Sequence, residues 1–117
     1  MRYLLLITEP RGQRLERTPD EGRDAYARMV RYAEGLKARG ALVAVESLLS
    51  DDRGTRVQVR DGQARLLDGP FTESKEMVGG FFLVECETPA EALAMAAECP
   101  AAGWASVEVR PVGPCFA

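Results

Sequence analysis

The 117-residue chain contains no histidine. The commonest acid–base side chain and the commonest metal ligand are therefore missing, so any proton transfer falls to Asp, Glu, Lys, Tyr or Cys. Cysteine is scarce and odd in number: Cys86, Cys99 and Cys115 show none of the paired spacings of a metal site. A basic excess is also lacking. Fifteen Lys and Arg stand against eighteen Asp and Glu, a net charge of −3, and the arginines are interleaved with acids. Binding to nucleic acid through phosphates is not expected. No apolar run reaches membrane-spanning length. The apolar opening Tyr3–Ile7 is closed by Glu9, Pro10 and Arg11 without a small-residue cleavage site, so it reads as a first strand rather than an export signal. With no such signal, free thiols and a cytoplasmic location are expected. No cofactor motif is present. Gly79-Gly80 precedes a strand, not a helix, and lacks the remaining positions of a phosphate loop. Neither a metal nor a cofactor is expected.

What is present suits a single domain over residues 1–117. The chain is 46% apolar and 28% charged, ordinary for a globular protein able to bury a core. Arg2–Thr8 is strand-like and apolar on both faces, Tyr3, Leu5 and Ile7 on one and Leu4 and Leu6 on the other, which calls for cover on both sides. Glu9–Arg17 is polar and reads as a loop. Thr18-Pro19-Asp20-Glu21 is a capping box with proline at the first helical position, and the helix should run to about Arg39. Tyr26, Met29, Val30, Ala33 and Leu36 make its apolar stripe, and Gly40 supplies its stop. Leu42–Leu49 is a second strand carrying Glu46, and Ser50–Gly54 a polar turn. Thr55–Arg60 and Gln63–Leu67 alternate about Asp61-Gly62, a two-residue hairpin signal. Gly80–Cys86 is again apolar on both faces. Thr88-Pro89-Ala90-Glu91 repeats the cap, opening a helix to about Glu98 with Leu93, Ala96 and Ala97 inward. Ser106–Val112 is the last strand.

The order βαβ, hairpin, βαβ points to an α+β, ferredoxin-like sandwich with both helices on one face of an antiparallel sheet. The other face, apolar on the first and fifth strands, would remain wet. A second copy of the chain is the expected cover, closing two sheets into a dimeric α+β barrel.

The stretch Leu66–Val84 is where chemistry is sought first. Asp68-Gly69-Pro70 forces a change of direction, Glu73, Lys75 and Glu76 follow, and a buried strand succeeds them. Asp68 is a turn former or an acid–base group. Lys75 with Glu73 and Glu76 is either a solvated cluster or a ligand-binding one flanked by Phe71 and Met77. Glu46, in an apolar strand, needs a partner if buried, and Arg110 on the last strand is the one expected. Phe71, Phe81, Phe82, Tyr26 and Tyr3 are core candidates, and Trp104 is a possible anchor against a partner subunit.

Asp68-Gly69-Pro70-Phe71-Thr72-Glu73-Ser74-Lys75-Glu76 followed by Gly79-Gly80-Phe81 resembles the DGPF-motif branch of the YCII-related proteins. Val45-Glu46-Ser47-Leu48 is similar to that family's Gly-Glu-x-Leu segment, with valine for glycine, and Val107–Val112 to its last strand. The resemblance implies a dimeric α+β barrel, and its genomic company implies a transcription-factor partner of the sigma type. The His–Asp pair suspected in the wider family has no histidine to occupy here. Three functions follow. The first is a binding protein for a small polar or aromatic molecule held by Lys75, Arg110, Phe71 and Glu73. The second is a cofactor-independent proton-transfer enzyme using Asp68, Glu76 and Glu46. The third is an accessory protein of a sigma-factor system.

Overall fold

A computed structural model describes residues 1–117. Strand β1 spans Arg2–Pro10, a one-turn helix α1 spans Gln13–Glu16, and the long helix α2 spans Pro19–Ala38. Strands β2 (Leu42–Ser47), β3 (Thr55–Arg60), β4 (Gln63–Asp68) and β5 (Glu76–Glu85) follow, then helix α3 (Pro89–Glu98) and strand β6 (Ser106–Pro111). β2, β5, β1 and β6 form one antiparallel sheet in that order, whereas β3 and β4 form a separate two-stranded sheet. The architecture is α+β with an open sheet, not a closed barrel within one chain.

The helix ends follow the residues that cap them. The Thr18 hydroxyl accepts from the Glu21 amide at 3.1 Å, and the Glu21 carboxylate accepts from the Thr18 amide at 2.8 Å. At α3 the box is skewed by one residue: Thr88 caps the Glu91 amide, but the Glu91 carboxylate turns to the amide of Glu87. In the hairpin turn Asp61 and Gly62 take φ of 54° and 74°, the conformation a two-residue turn demands.

The core lies between the helices and one face of the sheet. Tyr3, Leu5 and Ile7 of β1 meet Phe82 and Val84 of β5, and Leu36, Ala92, Met95, Ala96 and Cys99 roof them. Complete burial of a side chain such as Leu5, Leu36 or Val84 contributes about 1.5–3 kcal/mol. The Tyr32 hydroxyl donates to the Met95 carbonyl at 2.5 Å, and its ring stands edge-on to Phe82, so α2 and α3 are tied over the sheet. The helix stripes differ from expectation. Tyr26 is 60% exposed and Leu93 58% exposed, while Tyr32 on α2 and Ala92 and Met95 on α3 turn inward.

The opposite face has no cover. Leu4 lies beside Leu83, and Leu6 beside Phe81, all half-exposed. The molecule is only 19 Å thick in its shortest dimension, the depth of one sheet and one helix layer. Its accessible surface is 8054 Å², whereas a compact monomer of this mass exposes about 6,300 Å².

Candidate functional site

The Gly-Pro corner is built as a structural knot. The guanidinium of Arg11, just past β1, forks onto Asp51 (2.9 and 2.5 Å) and donates from Nε to the Ser74 carbonyl at 2.8 Å. Asp51 also accepts from the Phe71 amide at 3.3 Å. The Gly69 amide bonds to the Gly54 carbonyl, and a Cβ on Gly69 would lie 1.9 Å from the Asp51 carbonyl oxygen. Three segments distant in sequence therefore close on one another at the base of the β3–β4 hairpin. Arg56 covers the Phe71 ring at 3.9 Å and pairs with Glu73. Arg11 holds the Asp51 carboxyl below its ordinary range, and Arg56 does the same to Glu73.

The motif residues are thus placed apart from one another. Asp68 ends β4, exposed, and accepts from the Thr55 hydroxyl at 2.9 Å rather than from downstream amides. Glu73 is taken by Arg56, so no cluster with Lys75 forms. Lys75 and Glu76 are exposed and in no ion pair. Phe71 is half-buried beneath Arg56. Glu46 is exposed, not buried, and its pairing with Arg110 does not occur. Their strands are the two outer edges of the sheet, with β5 and β1 between them, a separation of about 14 Å. Arg110 pairs instead with Glu108, two residues back on the same strand.

A different set of residues gathers under α2. Between that helix and the β2 side of the sheet lies a half-open groove of about 770 Å³, lined by 24 residues, 14 of them apolar. Such a volume is that of small-molecule sites generally. Tyr26, Met29, Val30 and Ala33 form the helical wall, facing Val45 and Phe82. At one end stands the pair Glu9–Arg14. Glu9 is 6% exposed, and Arg14 donates to both of its carboxylate oxygens (2.9 and 2.7 Å) and to the Leu48 carbonyl (2.9 Å). The strand makes room for that carboxylate by a bulge. Ile7 pairs with Gly80 and Thr8 with Val78, so Gly79 is skipped and meets Glu9 without a side chain. Next to this pair, Arg17 and Arg28 lie over the Trp104 ring at 5.5 and 5.0 Å, and the Trp104 carbonyl accepts from Gln13. Trp104 packs within its own chain.

The sequence reading missed Glu9, Arg14 and Arg17 by treating Glu9–Arg17 as loop. The alternation Tyr3, Leu5, Ile7 extended by one step puts Glu9 on the buried face, and that signal was available. No group of three His, Cys, Asp or Glu side chains stands close enough to hold a metal, and no helix is long and apolar enough to cross a membrane.

Comparison with known proteins gives a family and a relative. A family model, the YCII-related domain, matches residues 1–115. An uncharacterised protein of Rhizobium meliloti (strain 1021) is 34% identical over 94 residues, which cover 77% of this chain and 71% of the relative.

Proposed function

The chain belongs to the YCII-related family, and on that premise we propose that it is a small-molecule-binding protein of that family's DGPF-motif branch. Its ligand occupies the groove between α2 and β2, and two ferredoxin-like subunits pair across their open sheet faces. The observation that carries the reading is the groove itself: a mostly apolar cleft with a few fixed polar groups at one end, which is how ligand sites are generally built.

The strand order, with each long helix joining strands separated by a third, supports the ferredoxin-like assignment. The surplus of about 1,800 Å² per chain over a compact monomer is ample for the roughly 800 Å² that each partner contributes to a standard interface, which supports a second copy as the cover of Leu4, Leu6, Phe81 and Leu83. Proton-transfer catalysis is disfavoured by placement. Asp68, Glu76 and Glu46 stand exposed on three different strands, and the carboxylates that are perturbed, Glu21, Asp51, Glu73 and Glu85, are all moved toward permanent ionisation. A general acid or base needs the opposite shift.

Two measurements test this. Sedimentation velocity at micromolar concentration should give a dimer, reduced to monomer by Phe81→Glu. An uncharged fluorescent naphthylamine dye should bind the wild type and fail to bind Val30→Asp, a change at a partly exposed groove residue. Dye binding unaffected by that substitution would remove the groove from consideration.

A further inference from the structure

We infer that the α2–β2 groove takes a carboxylate with an elongated apolar body, its charged end against Arg17 and the indole N–H of Trp104; the inference rests on reading the groove as a ligand site. Of the arginines at that end, Arg28 lies on the Trp104 ring outside the groove's lining, and the two that line it, Arg14 and Arg17, differ in what they have left to give. Arg14 is committed to Glu9 and the Leu48 carbonyl. Arg17 is in no ion pair, and its one hydrogen bond, from Nη2 to the Gln13 amide oxygen, is long at 3.4 Å. Glu21 feels its charge, but that carboxylate is occupied by the Thr18 amide. Most of the five guanidinium donors are therefore unspent. Arg17 lies over the Trp104 ring, 5.5 Å from its centroid, and the indole N–H donates to no group of the protein, the residue's one side-chain partner being Gln13 at its carbonyl. A planar cationic fork beside a second free donor is matched by a carboxylate, which two parallel N–H donors bind.

The rest of the groove offers no second anion site. Lys37 lies at the far end three residues from Glu34 on α2, so an anion brought to it there also meets the Glu34 carboxylate. Glu46 alternates with Val45, so its carboxylate faces the other side of the sheet, with Phe81. Between the ends the walls are Tyr26, Met29, Val30 and Ala33. From Gly22 to Lys37 the helix advances about 22 Å, which sets the length over which an apolar body can lie.

Trp104 is the chain's sole tryptophan and reports from the charged end. Wild-type protein is titrated with octanoate and with octanol, following its fluorescence and, because Arg17 touches the reporter, calorimetry. Octanoate should bind about tenfold more tightly than octanol, the worth of one charge-assisted contact. Arg17→Gln should bring octanoate down to the level of octanol and leave octanol unchanged. Equal affinity of the two ligands for the wild type, or loss of both in Arg17→Gln, overturns the carboxylate assignment while leaving the groove a ligand site. Failure of both to bind a protein with native circular dichroism removes the ligand site itself. Dissociation of a dimer by Val30→Asp would make the groove a surface between copies and overturn both.

Discussion

Gly79 and Glu9 are fitted to each other across β5 and β1: a Cβ on Gly79 would lie 1.9 Å from the Glu9 carboxylate oxygen. The bulge that skips Gly79 is what lets a charged side chain follow Tyr3, Leu5 and Ile7 into the interior. Its charge is then answered by the two-pronged contact from Arg14. A buried carboxylate is tolerated only on such terms.

Gly79→Ala should displace the Glu9 carboxylate and loosen its grip on Arg14. Chemical denaturation should show a loss of about 1–3 kcal/mol, the usual penalty for overpacking. Gly35→Ala is the control. It sits within α2 with no atom inside 4 Å of the new Cβ, so it should raise stability by about 0.5–1 kcal/mol. The two changes are chemically identical, and their opposite signs would separate close approach from helix propensity.

Asp51→Asn should free the hairpin before it frees the sheet. The substitution removes the ion pair with Arg11 and weakens the tie to the Phe71 amide. Hydrogen exchange should quicken at the β3–β4 amides and remain slow in β1 and β5. Limited proteolysis should cut within Thr55–Asp68 ahead of any other segment.

Stability should be flat across neutral pH and fall at both ends. Hydrogen bonds from Thr18, Arg11 and Arg56, and from the chain's amino group, lower the pKa of Glu21, Asp51, Glu73 and Glu85 respectively. Their contribution is full above the ordinary carboxylate range, about 4–4.5, and is lost as the pH drops through the lowered folded values. Burial raises Cys86, Cys99 and Tyr32, so their contribution is full below ordinary values of about 8.5 and 10 and is lost as the pH climbs. No histidine titrates between. Melting temperature against pH should form a plateau from about pH 5 to about pH 8, and a step near neutrality would contradict this.

The three thiols should separate cleanly. Cys115 is exposed, and Cys86 and Cys99 are buried with raised pKa. Since the thiolate is the reactive form, a disulfide reagent should modify Cys115 rapidly in the native protein. The other two should react only after unfolding.

Much of the fold was legible because it is written in short-range patterns. The capping box fixed the start of α2, and Asp61-Gly62 fixed the hairpin. Which residue of an amphipathic helix points most directly inward was not legible. Tyr26 and Tyr32 point about 120° apart around α2, and only the seating of the helix on the sheet puts Tyr32 against Phe82 and leaves Tyr26 in solvent. The site was less visible still. The motif drew attention because it is charged and compact, yet Thr55 takes Asp68 and Arg56 takes Glu73, and both partners come from β3, outside the motif. Strand order separated Glu46 from Arg110, and order in a sheet is a property of the whole chain. Glu9 and Arg14 fell in a segment judged by its polarity, although the strand's own alternation already reached Glu9.

Because Arg11, Asp51 and the amide of Gly69 fasten the foot of the hairpin, its tip is mechanically insulated from the sheet. Extending or trimming it by pairs of residues preserves which side each side chain takes, and the entropy of closing a longer arm grows only slowly. The arm is thus the place where this scaffold can accept a graft, an epitope or a spectroscopic label, with the groove beneath α2 left as it was.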